Sequence, residues 1–150
     1  MLTTQQLRIN AGQRILINDL TWSVKRGEFW CVLGKNGAGK TSLLHTLAGA
    51  AIPVQGTVLL NEQNVLEVDA LTLSRRRGLM LQSYTDVFHE SVFNVVAIAR
   101  TPHRTGVQWD TSADSAAVHD ALLRVNLEEK MNADVTYLSG GEGSVLPWRH

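Results

Sequence analysis

The sequence predicts a mixed α/β fold, an α/β core that carries a helical insertion. Three observations carry that expectation. Short β-branched runs broken by turn residues fill the first half, and a continuous apolar run leads into a glycine-rich loop. From Ser91 onward the texture changes to helical periodicity.

Taken in order, "LRI", "RILI" and "LTWSV" read as strands, punctuated by Asn10-Ala11-Gly12 and by Lys25-Arg26-Gly27-Glu28. "FWCVL" (29–33) is uninterrupted and apolar, as expected of a strand buried on both faces of a sheet, with Cys31 as a small buried hydrophobe. "KTSLLHTLAGA" follows the glycine-rich loop. Its Leu43, Leu44, Leu47 and Ala48 form a helical face that ends at Gly49. "GTVLL" (56–60) and "GLMLQ" (78–82) are further strand candidates. "SVFNVVAIAR" and "DSAAVHDALLRVNLEEKM" read as helices, separated by the looser "TPHRTGVQWDTS".

The totals exclude several classes. At 150 residues, 44% of them hydrophobic, the chain can build one domain with a real core. Fourteen basic residues balance fourteen acidic ones, so no basic field calls for nucleic acid or an anionic membrane. One cysteine fits a reduced compartment. The N-terminus shows no basic-then-apolar leader, and no run approaches the ~18 apolar residues of a membrane span. The expectation is a soluble, cytosolic chain that would serve a membrane process only through a partner.

"GKNGAGKT" (34–41) matches G-x-x-x-x-G-K-[ST] between an apolar run and a helix. Gly34, Gly37 and Gly39 let the backbone curl so that successive N–H groups face one cavity suited to a phosphate. The helix starting near Lys40 turns its positive end on the same anion. Lys40 would reach the β- and γ-phosphates, and Thr41 would offer a hydroxyl to Mg²⁺. Kinases, GTPases, helicases and transport ATPases share this loop. No N-K-x-D guanine reader follows, which speaks against a GTPase.

"LSGGE" (138–142) narrows the field, because Ser139 and the Gly140 and Gly141 amides would form a second anion-facing helix start, without a lysine. With Gln82, these motifs make the chain resemble the nucleotide-binding domain of ATP-binding cassette (ABC) transporters, from about Leu7 to Glu142. The resemblance implies a P-loop NTPase core with an N-terminal antiparallel β subdomain and a helical subdomain at about 83–137. It also implies a partial domain (1–142) whose core lacks its C-terminal part. ATP and Mg²⁺ are the implied cofactors. Gly34, Lys35, Asn36, Gly37, Ala38, Gly39, Lys40, Thr41 and Ser42 would hold the phosphates, and Thr41 with Gln82 the magnesium. Ser139, Gly140 and Gly141 would touch the γ-phosphate bound by a second, head-to-tail ATP-binding subunit. The other implied partner is a transmembrane permease, which would place the chain at the inner face of the cell membrane.

"LQSYTDVFHESVFNVVAIARTPHR" resembles the segment after the Q-loop in importers of iron–siderophore, haem or cobalamin complexes. There the helical subdomain cups a permease helix. Val92, Val95, Val96 and Ala99 share a helical face and read as core, which leaves Arg100 and His103 as interface candidates. His45 and His119 have no ligand or catalytic spacing and read as structural or solvated.

Two departures stand out. The family's adenine-stacking aromatic after the first strand is missing from "INAGQRI". Either base affinity is weaker, or Ile9 or Arg14 packs against the ring. After "LSGGE" the family continues with a helix, an apolar strand ending Asp-Glu, and later a histidine. None is present here, and Asp134 and Glu142 do not take their place by position. Hydrolysis by this stretch alone is therefore not expected. Residues 143–150 read as an out-of-frame tail. Loss of one nucleotide from codons for the usual E-R-Q-R-V-A-M-A continuation yields Glu142-Gly143-Ser144-Val145-Leu146-Pro147-Trp148-Arg149-His150, given suitable synonymous codons.

Overall fold

A computed structural model describes residues 1–80, 89–103 and 112–146. It divides into two compact units, Met1–Arg77 and Gly78–His150.

The first unit is built on an antiparallel sheet. β1 (Leu2–Ala11) and β2 (Arg14–Val24) form a hairpin whose register runs from Ala11 opposite Arg14 to Leu2 opposite Val24. The separate runs "RILI" and "LTWSV" are thus one strand. β3 (Gln55–Leu60) pairs with the other edge of β1, and the short β4 (Gln63–Asn64) extends it, giving the order β2-β1-β3-β4. The register slips between Thr4 and Leu7, where Gln6 takes a φ of 48°. Side chains satisfy the backbone there: Thr4 Oγ1 donates to the Leu20 carbonyl at 3.0 Å, and Thr21 Oγ1 accepts from the Gln6 amide at 3.1 Å.

α1 (Lys40–Leu47) and α2 (Ala70–Ser74) complete this unit, and Asp69 caps α2 by accepting from the Thr72 amide at 2.8 Å. Leu7, Ile9, Leu43, Val58, Val65 and Leu73 form the core. On α1 the buried positions are Leu43 and Thr46, whereas Leu44 is 48% exposed. Thr46 fits the apolar face because its hydroxyl donates to the Ser42 carbonyl one turn back, at 2.8 Å.

The expected strand at 29–33 does not form. No described residue pairs with this run, and Phe29 (94% exposed) and Leu33 (85%) face solvent. A strand requires a neighbour's N–H and C=O groups, and apolar sequence alone cannot supply them. Cys31, expected inside, is exposed for the same reason. Only Val32 packs against the core, while Trp30 stands edge-on to Trp22 at 5.0 Å. The described part of "GLMLQ" (78–80) likewise holds no strand.

The second unit is helical. α3 (Val92–Ile98) is capped by Ser91, which accepts from the Asn94 amide at 3.1 Å. α4 (Ser112–Arg124) stops well short of the periodic stretch that predicted it. The chain then passes through single 3₁₀ turns at Glu128–Lys130 and Val135–Tyr137 to α5 (Gly140–Ser144). Val92, Val96, Ala97, Val118, Leu122, Leu127, Val135 and Leu146 form its core. Val95 packs against them from the periphery, as the periodicity of "SVFNVVAIAR" implied. Gly143 and Ser144 close the last turn of α5, and Leu146 is buried.

Candidate functional site

The glycine-rich loop occupies residues 34–39 and ends at Gly39, the left-handed N-cap of α1 (φ 95°). A β-carbon at Gly39 would lie 3.0 Å from Leu16 Cβ on β2, so both backbone angle and packing require glycine there. Leu43, buried one turn later, anchors α1 in the core and so fixes where its N-terminus stands. Gly39 offers no capping side chain, and among the described residues no acceptor meets the Lys40, Thr41 and Ser42 amides. Three donors and the positive end of an eight-residue helix therefore stay available to an anion.

Lys40 turns back over this turn. Its Nζ donates to the Gly34 carbonyl at 2.8 Å and to the Lys35 carbonyl at 2.9 Å, while the Ala38 amide donates to Lys35 O at 3.1 Å. The ammonium thus bridges the loop it would serve, at the mouth where a phosphate would approach. Thr41 is exposed at the first turn of α1. Among the described residues no cluster of three or more His, Cys, Asp or Glu side chains could hold a metal. A magnesium ion would then rely on phosphate oxygens, water and few protein ligands, which suits its reluctance to dehydrate. A hydroxyl such as that of Thr41 fits this role. Gln82, the other expected ligand, lies outside the described residues.

Ser139, Gly140 and Gly141 belong to the second unit and open α5. Ser139 and Glu142 form a reciprocal cap. The Ser139 amide and hydroxyl both donate to Glu142 Oε2 at 3.0 Å, and Ser139 Oγ accepts from the Glu142 amide at 3.3 Å. The other carboxylate oxygen of Glu142 pairs with Lys130 Nζ. The Lys130 ammonium, and then the Ser139 amide and hydroxyl, hold the Glu142 carboxyl down at about 2. The S-x-x-E spacing is itself a signal for this cap, whereas Lys130 has none, because irregular turns bring it there across twelve residues.

The remaining candidates separate clearly. Arg100 Nε donates to Asp114 Oδ1 at 3.1 Å, and Asp114 is buried, so the guanidinium ties the end of α3 to the first turn of α4 rather than standing free for a partner. His103 is exposed. His119 packs edge-on to Phe93 at 5.9 Å. Asp134 caps the Val135–Tyr137 turn and pairs with His89 at 2.8 Å, and its carboxyl is lowered by Thr136 first and His89 after. Of the two residues weighed for adenine, Ile9 is committed to the core and Arg14 is exposed.

An α/β unit with a phosphate-ready loop at the start of a helix defines a protein of the P-loop class. The family model described as ABC transporter matches residues 17–146, and the chain belongs to that family. It is 38% identical over 132 residues to the cobalamin import ATP-binding protein BtuD of Halobacterium salinarum, covering 88% of this chain and 32% of the relative. It is 32% identical over 150 aligned positions to the hemin import ATP-binding protein HmuV of Burkholderia ambifaria, covering 95% and 55%. Among solved structures, a metal-chelate type ABC transporter in an inward-facing conformation superposes with a TM-score of 0.78 at 26% identity, covering 97% of this chain and 53% of that one. The chain thus spans between about a third and about half of the length of these curated relatives. No helix among the described residues is long and apolar enough to cross a membrane.

Proposed function

We propose that this chain is the nucleotide-binding part of the ATP-binding subunit of an ABC importer for a metal chelate. It would work at the inner face of the membrane through a permease and pair head-to-tail with a second such subunit. The observation that carries the reading is the loop at Gly34–Ser42, with unclaimed helix-start amides and Lys40 Nζ poised over its carbonyls. On binding, Lys40 would exchange the Gly34 and Lys35 carbonyls for β- and γ-phosphate oxygens, a gain in charge complementarity. Thr41 would present its hydroxyl to magnesium together with Gln82. Ser139, Gly140 and Gly141 would serve the nucleotide held by the second subunit. The metal-chelate assignment draws on relatives named for cobalamin and hemin import and on the metal-chelate type transporter. The test is Lys40→Ala. Removing the cation should abolish Mg-ATP binding measured by calorimetry, and unchanged affinity would remove the basis of the assignment.

A second reading, nucleotide binding without turnover, is favoured for the isolated 150-residue polypeptide. Residues 29–33, which lead into the loop, have no strand partner among the described residues, and Asp134 and Glu142 are engaged in helix caps. Among the described residues neither of these carboxylates is then free to orient an attacking water, a contribution commonly worth several orders of magnitude in rate. The expected result is no Lys40-dependent ATPase activity from this polypeptide, and recovery when the family's usual continuation after Glu142 is joined to it. Transporter-like turnover by the 150-residue chain, lost in Lys40→Ala, would rule this reading out.

A further inference from the structure

β2 carries an extra residue where it passes the phosphate loop. Ile9 of β1 pairs with Ile17 and Asn10 pairs with Ile15, so one step along β1 meets two along β2, and Leu16 has no residue opposite it in that register. In a regular pleat, successive side chains point to opposite faces. Here Leu16 and Ile17 both pack against the cluster of Leu7, Ile9, Leu43 and Val58. The bulge has turned Leu16 to the core face, and there it meets Gly39. Leu16 Cβ, Cδ1 and Cγ lie 3.0, 3.3 and 3.5 Å from where a β-carbon of residue 39 would stand, and they are the three nearest contacts such a carbon would make.

We propose that Leu16 is a positioning residue for the phosphate loop. The bulge delivers its side chain to Gly39, and this contact sets where the first turn of α1 holds its amides. The inference rests on the assignment of that loop to a nucleotide. Gly39 is the joint between loop and helix. Its φ of 95° turns the chain into α1, and its carbonyl accepts the first helical bond from the Leu43 amide at 2.8 Å. Leu43 belongs to the same core cluster. The helix start is thus held from two sides, by Leu43 from within α1 and by Leu16 from the sheet. Glycine has the widest backbone freedom of any residue, so Gly39 keeps one conformation only while its neighbours confine it. The amides of Lys40, Thr41 and Ser42 must converge on one anion, and a hydrogen bond weakens steeply once donor and acceptor leave line. A small displacement of Gly39 therefore costs affinity even where the fold survives.

The experiment uses the full chain in a Phe29→Ser, Leu33→Ser background, which removes the most exposed apolar side chains of 29–33. Mg-ATP affinity is measured by calorimetry at a temperature where every variant is folded by circular dichroism. Leu16→Ala should weaken binding about tenfold, the loss of one charge-assisted hydrogen bond. Leu16→Met, which conserves volume and reach, should bind within about twofold of the parent. Val58→Ala is the control for packing alone. Val58 lies on β3 in the same cluster, 2% exposed, whereas the nearest contacts at Gly39 are all with Leu16. Val58→Ala should lower the urea midpoint of unfolding and leave affinity within about twofold. A role for Leu16 in packing alone predicts that the two alanine variants bind alike. Equal affinity in Leu16→Ala and Val58→Ala, or no recovery in Leu16→Met, overturns the proposal. If Leu16→Ala does not fold, Leu16→Val replaces it, because valine keeps the β-carbon and removes the Cδ1 contact. A loss beyond about twofold in Leu16→Val then supports the proposal, and a smaller one overturns it.

A parent that does not bind Mg-ATP sinks the assignment of the loop instead. Amide exchange at Leu43, whose N–H closes the first turn of α1 on Gly39, then decides the role of Leu16. About tenfold faster exchange at Leu43 in Leu16→Ala, relative to Ala48 at the other end of α1, supports it, and an unchanged ratio between the two overturns it.

Discussion

Lys40 and Glu142 each do two jobs, and both follow from where their charged atoms rest. In the free loop the Lys40 ammonium satisfies two successive carbonyls, those of Gly34 and Lys35. Its loss therefore removes a bridge of the loop as well as the phosphate-seeking cation, and Lys40→Ala should abolish binding outright rather than weaken it modestly. Glu142 is the more pH-sensitive group. Its carboxyl is held at about 2, against an ordinary value of 4.5, by Lys130 and by the amide and hydroxyl of Ser139. A depressed carboxyl stabilises the fold above its unfolded value and loses that contribution as pH falls. The cap should thus be complete above about pH 4.5 and released between there and about pH 2. Carboxyl chemical shifts of Glu142 followed by NMR would show it, and a midpoint near 4.5 would mean that the cap does not form.

At the scale of elements, β1 and β3 meet at a point that permits one residue type. Gly56 has a φ of 84°, and a β-carbon there would lie 2.4 Å from the carbonyl oxygens of Gln5 and Gln6. Those carbonyls belong to the bulged part of β1, so neither strand can retreat without disturbing the β1–β2 register. Gly56→Ala should destabilise the first unit by at least about 1–3 kcal/mol, the cost of one strained backbone position. Urea unfolding followed by Trp22 and Trp30 fluorescence measures it, and a midpoint equal to the parent's would show that the two strands do not approach in this way.

At the largest scale, the first unit exposes an apolar strip at residues 29–33. Phe29, Trp30 and Leu33 are exposed and, among the described residues, none pairs with the backbone of 29–33, a template for edge-to-edge association. Poor solubility of the isolated chain is the expected outcome, and Phe29→Ser with Leu33→Ser should raise the soluble concentration several-fold. Light scattering of a refolded sample distinguishes the cases. A monodisperse monomer with a sharp cooperative melt would show that the strip is covered after all.

What the sequence determined by itself is what local chemistry specifies. The glycine spacing of 34–39, the helix opened at Lys40, the hairpin about Asn10–Gly12, the Ser91 cap and the "LSGGE" turn each depend on residues within a few positions of one another. Tertiary structure decided whatever depends on a distant partner. "FWCVL" has the composition of a buried strand, but among the described residues no neighbour pairs with it, so it stays irregular and Cys31 is exposed. Ile9 was equally apolar as a base-stacking candidate or a core residue, and the pleat of β1 sends it inward. Arg100 looked free until its chain met the buried Asp114. Lys130 carried no signal at all, because the irregular turns that bring it to Glu142 follow no sequence period. Backbone conformation answers to near neighbours, whereas burial and charge pairing answer to whichever part of the chain arrives.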